Sequence, residues 1–192
     1  MATSSKSSEE QRIALSWSSG KDAYMALRRL RALGHGPVAL LSTYQEDTGR
    51  VAMHGTRESL LRAQAAALGL PIYSGGLPGG ASNEEYEQRM RRLCGELIAN
   101  GIEAAAFGDL FLSDVREYRE SRMREAGMTP YFPLWHKDTL ELAHEIIDTG
   151  TVAIVSGVDS EQLSPEFRAP ISVSQGKTSI LWGRFHTIDL IP

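Results

Sequence analysis

The residues with the clearest chemical potential form one short segment, SWSSGKDA (16–23). It follows an apolar run and precedes a stretch with helical spacing, so it stands where a strand turns into a helix. Small residues at 18–20 would let a phosphate approach the backbone, and the N–H groups of a helix N-terminus favour a bound anion. Lys21 adds a positive charge, and Asp22 offers the oxygen ligands that Mg²⁺ prefers. The segment therefore predicts a phosphate site with a metal ion beside it.

A plainer interpretation of the same segment stays open. Aspartate is favoured near helix starts, so a Ser/Gly turn followed by an ordinary capping residue would give a similar string. A Walker loop is excluded, because Lys21 is followed by Asp22 where that motif has Ser or Thr. QGKT (175–178) does not complete one either, since Ile171 stands in place of the first glycine.

The elements around this segment alternate between short apolar runs and stretches of helical period, which is typical of βαβ units and a parallel sheet. Five strands are predicted, at 12–17, 37–44, 71–76, 103–109 and 151–158. Helices are predicted at 23–33, 56–68, from Ser82 or Asn83 to 97, from Ser113 or Asp114 to 127, and at 138–147, with a brief extended piece at 131–135. The expected fold is α/β: an open, mostly parallel five-stranded sheet with helices on both faces and an irregular C-terminal extension.

The predicted sheet also indicates where a ligand should bind. Open α/β sheets bind ligands at the carboxyl ends of their strands, at the point where the strand order reverses. An order of 3-2-1-4-5 places that reversal between strands one and four. Gly108 and Asp109, at the end of strand four, should then share one crevice with Asp22, while Thr43 and Tyr44 lie on its far side. A turn or helix-cap role for Asp109 is the alternative.

Composition describes an ordinary globular chain of 192 residues with one cysteine, Cys94, and a net charge of −4. This charge balance argues against a dedicated nucleic-acid binder, and no apolar run is long enough to span a membrane. The start MATSSKSSEE lacks the apolar stretch of a secretory signal, so a cytoplasmic location is expected. Residues 1–11 are predicted to be a disordered tail, and 12–192 a single domain. The arginines at 89–92 and 116–124 are expected on solvated helix faces.

The chain resembles a known family. SSGKD (18–22) is similar to the SGGxDS loop of PP-loop ATP pyrophosphatases, which have an adenine nucleotide α-hydrolase-like sheet. Four further segments resemble the diphthine–ammonia ligase-like branch and occur in the expected order. They are MHGTRESLLRAQAAALGLP (53–71), FGDLFLSDVREYRE (107–120), FPLW (132–135) and AIVSGVD (153–159).

This resemblance implies cleavage of ATP to AMP and pyrophosphate, with adenylation of a carboxylate that ammonia then converts to an amide. ATP and Mg²⁺ are the implied cofactors, and the acceptor is a carboxylate that a protein could carry. Asp22 would position Mg²⁺, and Lys21, Asp22 and Asp109 would be catalytic. Thr43, Tyr44 and Gly108 would contact the nucleotide. Four consecutive residues would cradle the pyrophosphate: Ser18, Ser19, Gly20 and Lys21.

The acceptor side is predicted from four residues that each have a structural alternative. His54 could contact phosphate or move a proton, or could be merely structural. Arg116 and Arg119 could reach an acidic substrate, or lie on a surface helix. Trp135 could line the acceptor pocket, or belong to the core. The oligomeric state is left open.

Two departures from the family pattern bear on activity. Ser19 stands where the loop has Gly, which is tolerable at negative φ, and Ala23 stands where it has Ser. WGRFHT (182–187) keeps only the end of a segment that carries carboxylates in the family, and 179–182 offer none. A nucleotide-binding module without ligase activity is therefore the second hypothesis. Sulfur transfer to tRNA is disfavoured, because a relay through two cysteines is impossible with Cys94 alone.

Overall fold

The fold was examined in a computed structural model that describes residues 11–51, 55–151, 153–154 and 170–171. Its centre is a five-stranded sheet in the order β3-β2-β1-β4-β5, in which every neighbouring pair is parallel. The strands are β1 (Ile13–Ser16), β2 (Ala39–Gln45), β3 (Ile72–Leu77), β4 (Ala104–Ala106) and β5 (Thr129–Tyr131). The fold class is confirmed, and the predicted order holds for strands one to four.

Helices cover both faces of this sheet. They are α1 (Lys21–Ala32), α2 (Glu58–Leu68), α3 (Asn83–Ala99), α4 (Ser113–Glu125) and α5 (Thr139–Asp148). Alternate residues of β1 enter different cores: Ile13 and Leu15 pack with α1, α2 and α5, whereas Ala14 packs with α3 and α4. A strand buried on both sides explains why the sequence shows a continuous apolar run at this position.

Several helix boundaries follow from the predicted caps. Ser82 Oγ accepts a hydrogen bond from the Glu85 N–H at 3.2 Å, and Glu85 Oε2 accepts one from the Ser82 N–H at 2.7 Å. This reciprocal capping box begins α3. Asp138 begins α5 as a simple cap, because its Oδ1 accepts hydrogen bonds from the Leu140 and Glu141 N–H groups, and Gly69 ends α2 at φ +69°. The prediction that Ser113 or Asp114 caps α4 is wrong, because the cap position is Leu112 and no side chain bonds there.

The fifth strand differs from the prediction. It is formed by Thr129–Tyr131, which pairs with β4, whereas 153–154 pair antiparallel with 170–171 in a separate two-stranded sheet. The two short strands of that sheet are β6 (Ala153–Ile154) and β7 (Pro170–Ile171). β5 escaped prediction because it is short, polar and contains Pro130, which an edge strand tolerates since one side needs no backbone partner.

The strand order reverses at β1, because β2 and β3 lie on one side of it and β4 and β5 on the other. This strand pairs with both β2 and β4, and the helices that follow β1 and β4 lie on opposite faces of the sheet. A crevice therefore opens between the carboxyl ends of β1 and β4. Among the helices described, none is long and apolar enough to cross a bilayer.

Candidate functional site

The segment between β1 and α1 is anchored by its first residue, Trp17. Trp17 is 2% exposed, and its Nε1 donates a hydrogen bond to Gln64 Oε1 of α2 at 2.9 Å. Gly20 occupies the cap position of α1 and, having no side chain, makes no capping hydrogen bond. The loop thus presents a helix N-terminus whose amides can receive an anion.

Ser19 adopts a backbone conformation that the sequence did not predict. Its φ is +65°, in the left-handed region, so the condition that made serine tolerable here, a negative φ, is not met. The family pattern has Gly at this point, and Gly enters the left-handed region without strain. The side chain is fully buried, and its Oγ has no hydrogen-bond partner. Ser19 therefore combines backbone strain with an unsatisfied hydroxyl.

We expect Ser19→Gly to raise the free energy of unfolding by about 1 kcal/mol, because it removes both the strain and the buried hydroxyl. Urea denaturation measures the change. Ser18→Gly is the matched control: Ser18 Oγ accepts a hydrogen bond from the Gly20 N–H at 3.4 Å, so this substitution should not stabilise the protein. Equal or lower stability of Ser19→Gly would contradict the strain argument.

The first turn of α1 carries an ion pair. Lys21 Nζ lies 3.0 Å from Asp22 Oδ2, with the two side chains 9% and 35% exposed. Asp22 Oδ1 is buried and has no hydrogen-bond partner. A buried carboxylate oxygen without a partner is unfavourable unless a ligand satisfies it. Asp22 is therefore poised to accept a ligand at Oδ1.

The loop after β4 touches this turn. A Cβ atom added at Gly108 would lie 2.8 Å from both the carbonyl carbon and the carbonyl oxygen of Asp22, so only glycine fits there. The next residue, Asp109, is close enough to sense the same carboxylate. Burial raises the pKa of Asp109, the Arg119 guanidinium opposes this, and the charge of Asp22 raises it further. The two carboxylates share one crevice, as the predicted strand order requires.

Arg119 of α4 is directed inward. Its Nη1 lies 3.0 Å from Asp109 Oδ2, although the pair lacks hydrogen-bond alignment. The guanidinium carbon lies 4.7 Å from the centre of the Phe107 ring, a cation–π contact. Its side chain is 32% exposed, so the expectation of a solvated face does not hold here. Arg124, in contrast, is 66% exposed and does lie on such a face.

A cleft adjoins the crevice on the side of α3 and α4. It opens over the carboxyl ends of β1 and β2, where Ser16, Ser42 and Thr43 line it. Tyr44 is not among the lining residues. Its proposed contact with adenosine stays a prediction.

The apolar wall of the cleft was not predicted from the sequence. Tyr86, Met90 and Cys94 of α3 form it together with Phe107. These α3 residues recur every four positions, which also fits an ordinary core face. Burial raises the pKa of the Cys94 thiol to about 11, so it is protonated at neutral pH and acts as apolar surface.

The rim of the cleft is an ionic network between α3 and α4. Glu87 accepts hydrogen bonds from Tyr118 Oη at 3.3 Å and from Arg122 Nη1 at 3.2 Å. Arg91 lies 3.7 Å from the same carboxylate. This network ties the two helices together at the mouth of the cleft.

The other predicted acceptor residues lie outside the cleft or outside the described residues. The Arg116 guanidinium carbon is 4.6 Å from the Trp135 ring centre and 4.8 Å from that of Phe132, and neither Arg116 nor Trp135 lines the cleft. His54 lies outside the described residues. Of the four, Arg119 alone lines the cleft within the part of the chain that the structure describes.

The crevice suits one kind of metal ion. The described residues contain no group of three or more His, Cys, Asp or Glu side chains that could hold a metal by themselves. Mg²⁺ does not need such a group, because it is commonly bound through one or two carboxylates, waters and substrate phosphates. Asp22, with its unsatisfied Oδ1, and Asp109 fit that arrangement.

Comparison with known proteins gives the family. A search of curated proteins found no match. Among solved structures, the chain is similar to a predicted subunit of a tRNA methyltransferase from Methanocaldococcus jannaschii. The two are 16% identical over 74% of this chain and 78% of that one, with a TM-score of 0.43. The family model of the diphthamide synthase N-terminal domain matches residues 11–130, which carry the loop, the crevice and the cleft. The chain therefore belongs to the diphthamide synthase N-terminal domain family, whose PP-loop fold is that of ATP-utilising enzymes.

Proposed function

We propose that the protein cleaves ATP between the α- and β-phosphates in the crevice between β1 and β4, and so adenylates a carboxylate for amidation by ammonia. One observation carries the proposal. The N-terminus of α1, whose cap residue Gly20 has no side chain, lies directly beside two carboxylates, Asp22 and Asp109, at the reversal of strand order. Amides for an anion and oxygens for a divalent cation are what a metal–polyphosphate ligand requires together.

The phosphate end of ATP belongs at the loop of residues 18–20. The N–H groups of α1 and the Lys21 ammonium would neutralise charge on the departing pyrophosphate. Asp22 and Asp109 would hold Mg²⁺, which supplies further charge neutralisation between phosphate oxygens when bound. Because Lys21 is nearly buried, its charge acts in a region of reduced dielectric, where it is worth more than at the surface.

The adenosine end belongs in the adjoining cleft. Tyr86, Met90 and Phe107 offer an apolar surface for a heterocyclic ring, while Ser42 and Thr43 line the cleft near the end of β2. This combination of an apolar wall and a few convergent polar groups is typical of small-molecule sites. Ser16 lines the same cleft two residues before the loop, so one nucleotide can occupy both places.

The proposed reaction has two steps. A carboxylate oxygen of the acceptor attacks the α-phosphorus, the bond to the bridging oxygen of the β-phosphate breaks, and pyrophosphate leaves. Ammonia then attacks the acyl carbon and gives up a proton to solvent, the bond between that carbon and the phosphate oxygen breaks, and AMP leaves.

Product analysis tests the proposal. Purified protein is incubated with Mg²⁺, ATP, ammonium and a protein that carries diphthine, the acceptor that the family resemblance implies. AMP and pyrophosphate are expected in equal amounts, with one amide formed per AMP, and no amide without ammonium. Formation of ADP and phosphate, or of no product from any of these mixtures, would overturn the proposal.

A second candidate function follows from the C-terminal sequence. The stretch at 179–182 offers no carboxylate where the family carries an acidic segment, which favours a nucleotide-binding module that does not complete amidation. Calorimetry separates the two candidates. Tight Mg²⁺–ATP binding without AMP formation would identify the module, whereas AMP formation that depends on the acceptor identifies the ligase.

A further inference from the structure

Both carboxylates of the crevice have a cation of the protein beside them. Lys21 Nζ lies 3.0 Å from Asp22 Oδ2, and Arg119 Nη1 lies 3.0 Å from Asp109 Oδ2. The two pairs differ in origin. Lys21 is the chain neighbour of its partner, whereas Arg119 reaches Asp109 from α4, across the mouth of the crevice. The position of Arg119 beside Asp109 is therefore set by the tertiary structure and not by adjacency in the chain.

Arg119 also belongs to the neighbouring cleft. It lines that cleft with Tyr86. Burial raises the pKa of Tyr86, and the nearby charge of Arg119 partly opposes this rise. Its guanidinium lies over the Phe107 ring, which forms part of the cleft wall. One side chain therefore faces Asp109 on one side and the ligand space on the other.

We propose that Arg119 is an exchangeable counter-ion: a divalent cation bound at Asp109 displaces the guanidinium, which then holds an anionic group in the cleft. This inference rests on the proposed function and deepens it. It assigns Arg119 the role of coupling metal occupancy to the binding of an anion, either a phosphate of the nucleotide or the carboxylate of the acceptor.

Three features of the pair favour exchange over a fixed salt bridge. The contact is close but lacks hydrogen-bond alignment, so Asp109 Oδ2 keeps an unused acceptor position. The Arg119 side chain is about one third exposed, which leaves it room to turn. The Phe107 ring gives the guanidinium a second favourable contact that does not depend on Asp109. A divalent ion that competes with a single positive charge for one carboxylate has the stronger attraction.

The test is a titration of Mn²⁺, used as a paramagnetic substitute for Mg²⁺, followed by electron paramagnetic resonance in the absence of nucleotide. It is done at about pH 8, well above the ordinary pKa of an aspartate, because burial raises the pKa of Asp109. Arg119→Met removes the competing charge, so Mn²⁺ should bind roughly tenfold more tightly than in the wild type. Arg119→Lys keeps the charge and should restore an affinity close to that of the wild type.

Arg122→Met is the matched control. Arg122 lies on the same helix, lines the same cleft and pairs with Glu87 and Glu125 rather than with Asp109. Its replacement should leave the Mn²⁺ affinity unchanged. Unchanged or weaker Mn²⁺ binding in Arg119→Met, or failure of the wild type to bind Mn²⁺, would overturn the inference.

Coupling to the anion is measured with AMP. Saturating Mn²⁺ should raise the AMP affinity of the wild type by several-fold more than that of Arg119→Met, because the freed guanidinium is missing in the variant. Equal enhancement in both proteins would overturn the coupling. If AMP formation depends on the acceptor but Arg119→Met does not change the Mn²⁺ affinity, this inference is refuted and the proposed function still stands.

Discussion

Asp22→Asn is expected to lower the rate of AMP formation by roughly a thousandfold, because it removes a charge that the reaction needs rather than a packing contact. The side chain is 35% exposed and its Oδ1 has no hydrogen-bond partner, so the folding energy that depends on the carboxylate is mainly its ion pair with Lys21. The measurement is the initial rate of AMP release at saturating Mg²⁺ and ATP, with thermal unfolding followed in parallel.

Asp114→Asn is the control for this substitution. Asp114 also lies in the first turn of a helix, α4, but it is exposed and far from the loop in sequence. Its replacement should leave AMP release within about twofold of the wild-type rate, since it changes only a helix–dipole interaction. Wild-type rates in Asp22→Asn, or a similar loss in Asp114→Asn, would remove Asp22 from the proposed chemistry.

Gly108→Ala is expected to abolish measurable ATP binding and to destabilise the protein by about 1–3 kcal/mol. The added Cβ would stand 2.8 Å from the carbonyl group of Asp22, and backbone atoms cannot turn aside as a flexible side chain can. The first turn of α1 would have to move, and with it the amides and the carboxylate that form the crevice. Calorimetric titration with Mg²⁺–ATP and urea denaturation measure the two effects.

Gly95→Ala provides a contrasting control within the same protein. Gly95 lies in the middle of α3, and a Cβ added there would meet nothing within 4 Å. Alanine should stabilise that helix by roughly 0.5–1 kcal/mol and leave ATP binding intact. A Gly108→Ala variant that binds ATP as well as Gly95→Ala does would show that the approach of β4 to α1 is not part of the site.

The sequence predicted the sheet well where burial leaves a pattern. β1 and β2 lie in the interior of the sheet and contain continuous apolar runs, and the helix between them, α1, repeats with helical period. The fifth strand leaves no such pattern, because Thr129–Tyr131 is a largely exposed edge of three residues. The prediction at 151–158 followed the stronger apolar run, and the two residues described there, 153–154, belong to another sheet.

The loop and its carboxylates were predictable because they follow the strand ends of a parallel sheet. Gly108 and Asp109 follow β4 and lie beside α1 because β4 is the parallel neighbour of β1. The left-handed conformation of Ser19 was not predictable from residue type, since serine rarely adopts it. The pairing of Arg119 with Asp109 and of Arg122 with Glu87 was not predicted, because a charged helix usually indicates a solvated face and only the three-dimensional structure reveals these partners.

The most direct test of carboxylate adenylation is to follow oxygen-18 from the acceptor. The acceptor carboxylate of a diphthine-bearing protein is labelled, the reaction is run with Mg²⁺, ATP and ammonium, and the AMP is analysed by mass spectrometry. The proposed mechanism predicts one labelled oxygen in each AMP, because the carboxylate oxygen that attacks the α-phosphorus leaves with it. AMP without label, with its new oxygen drawn from water, would contradict an adenylated intermediate and identify plain hydrolysis of ATP.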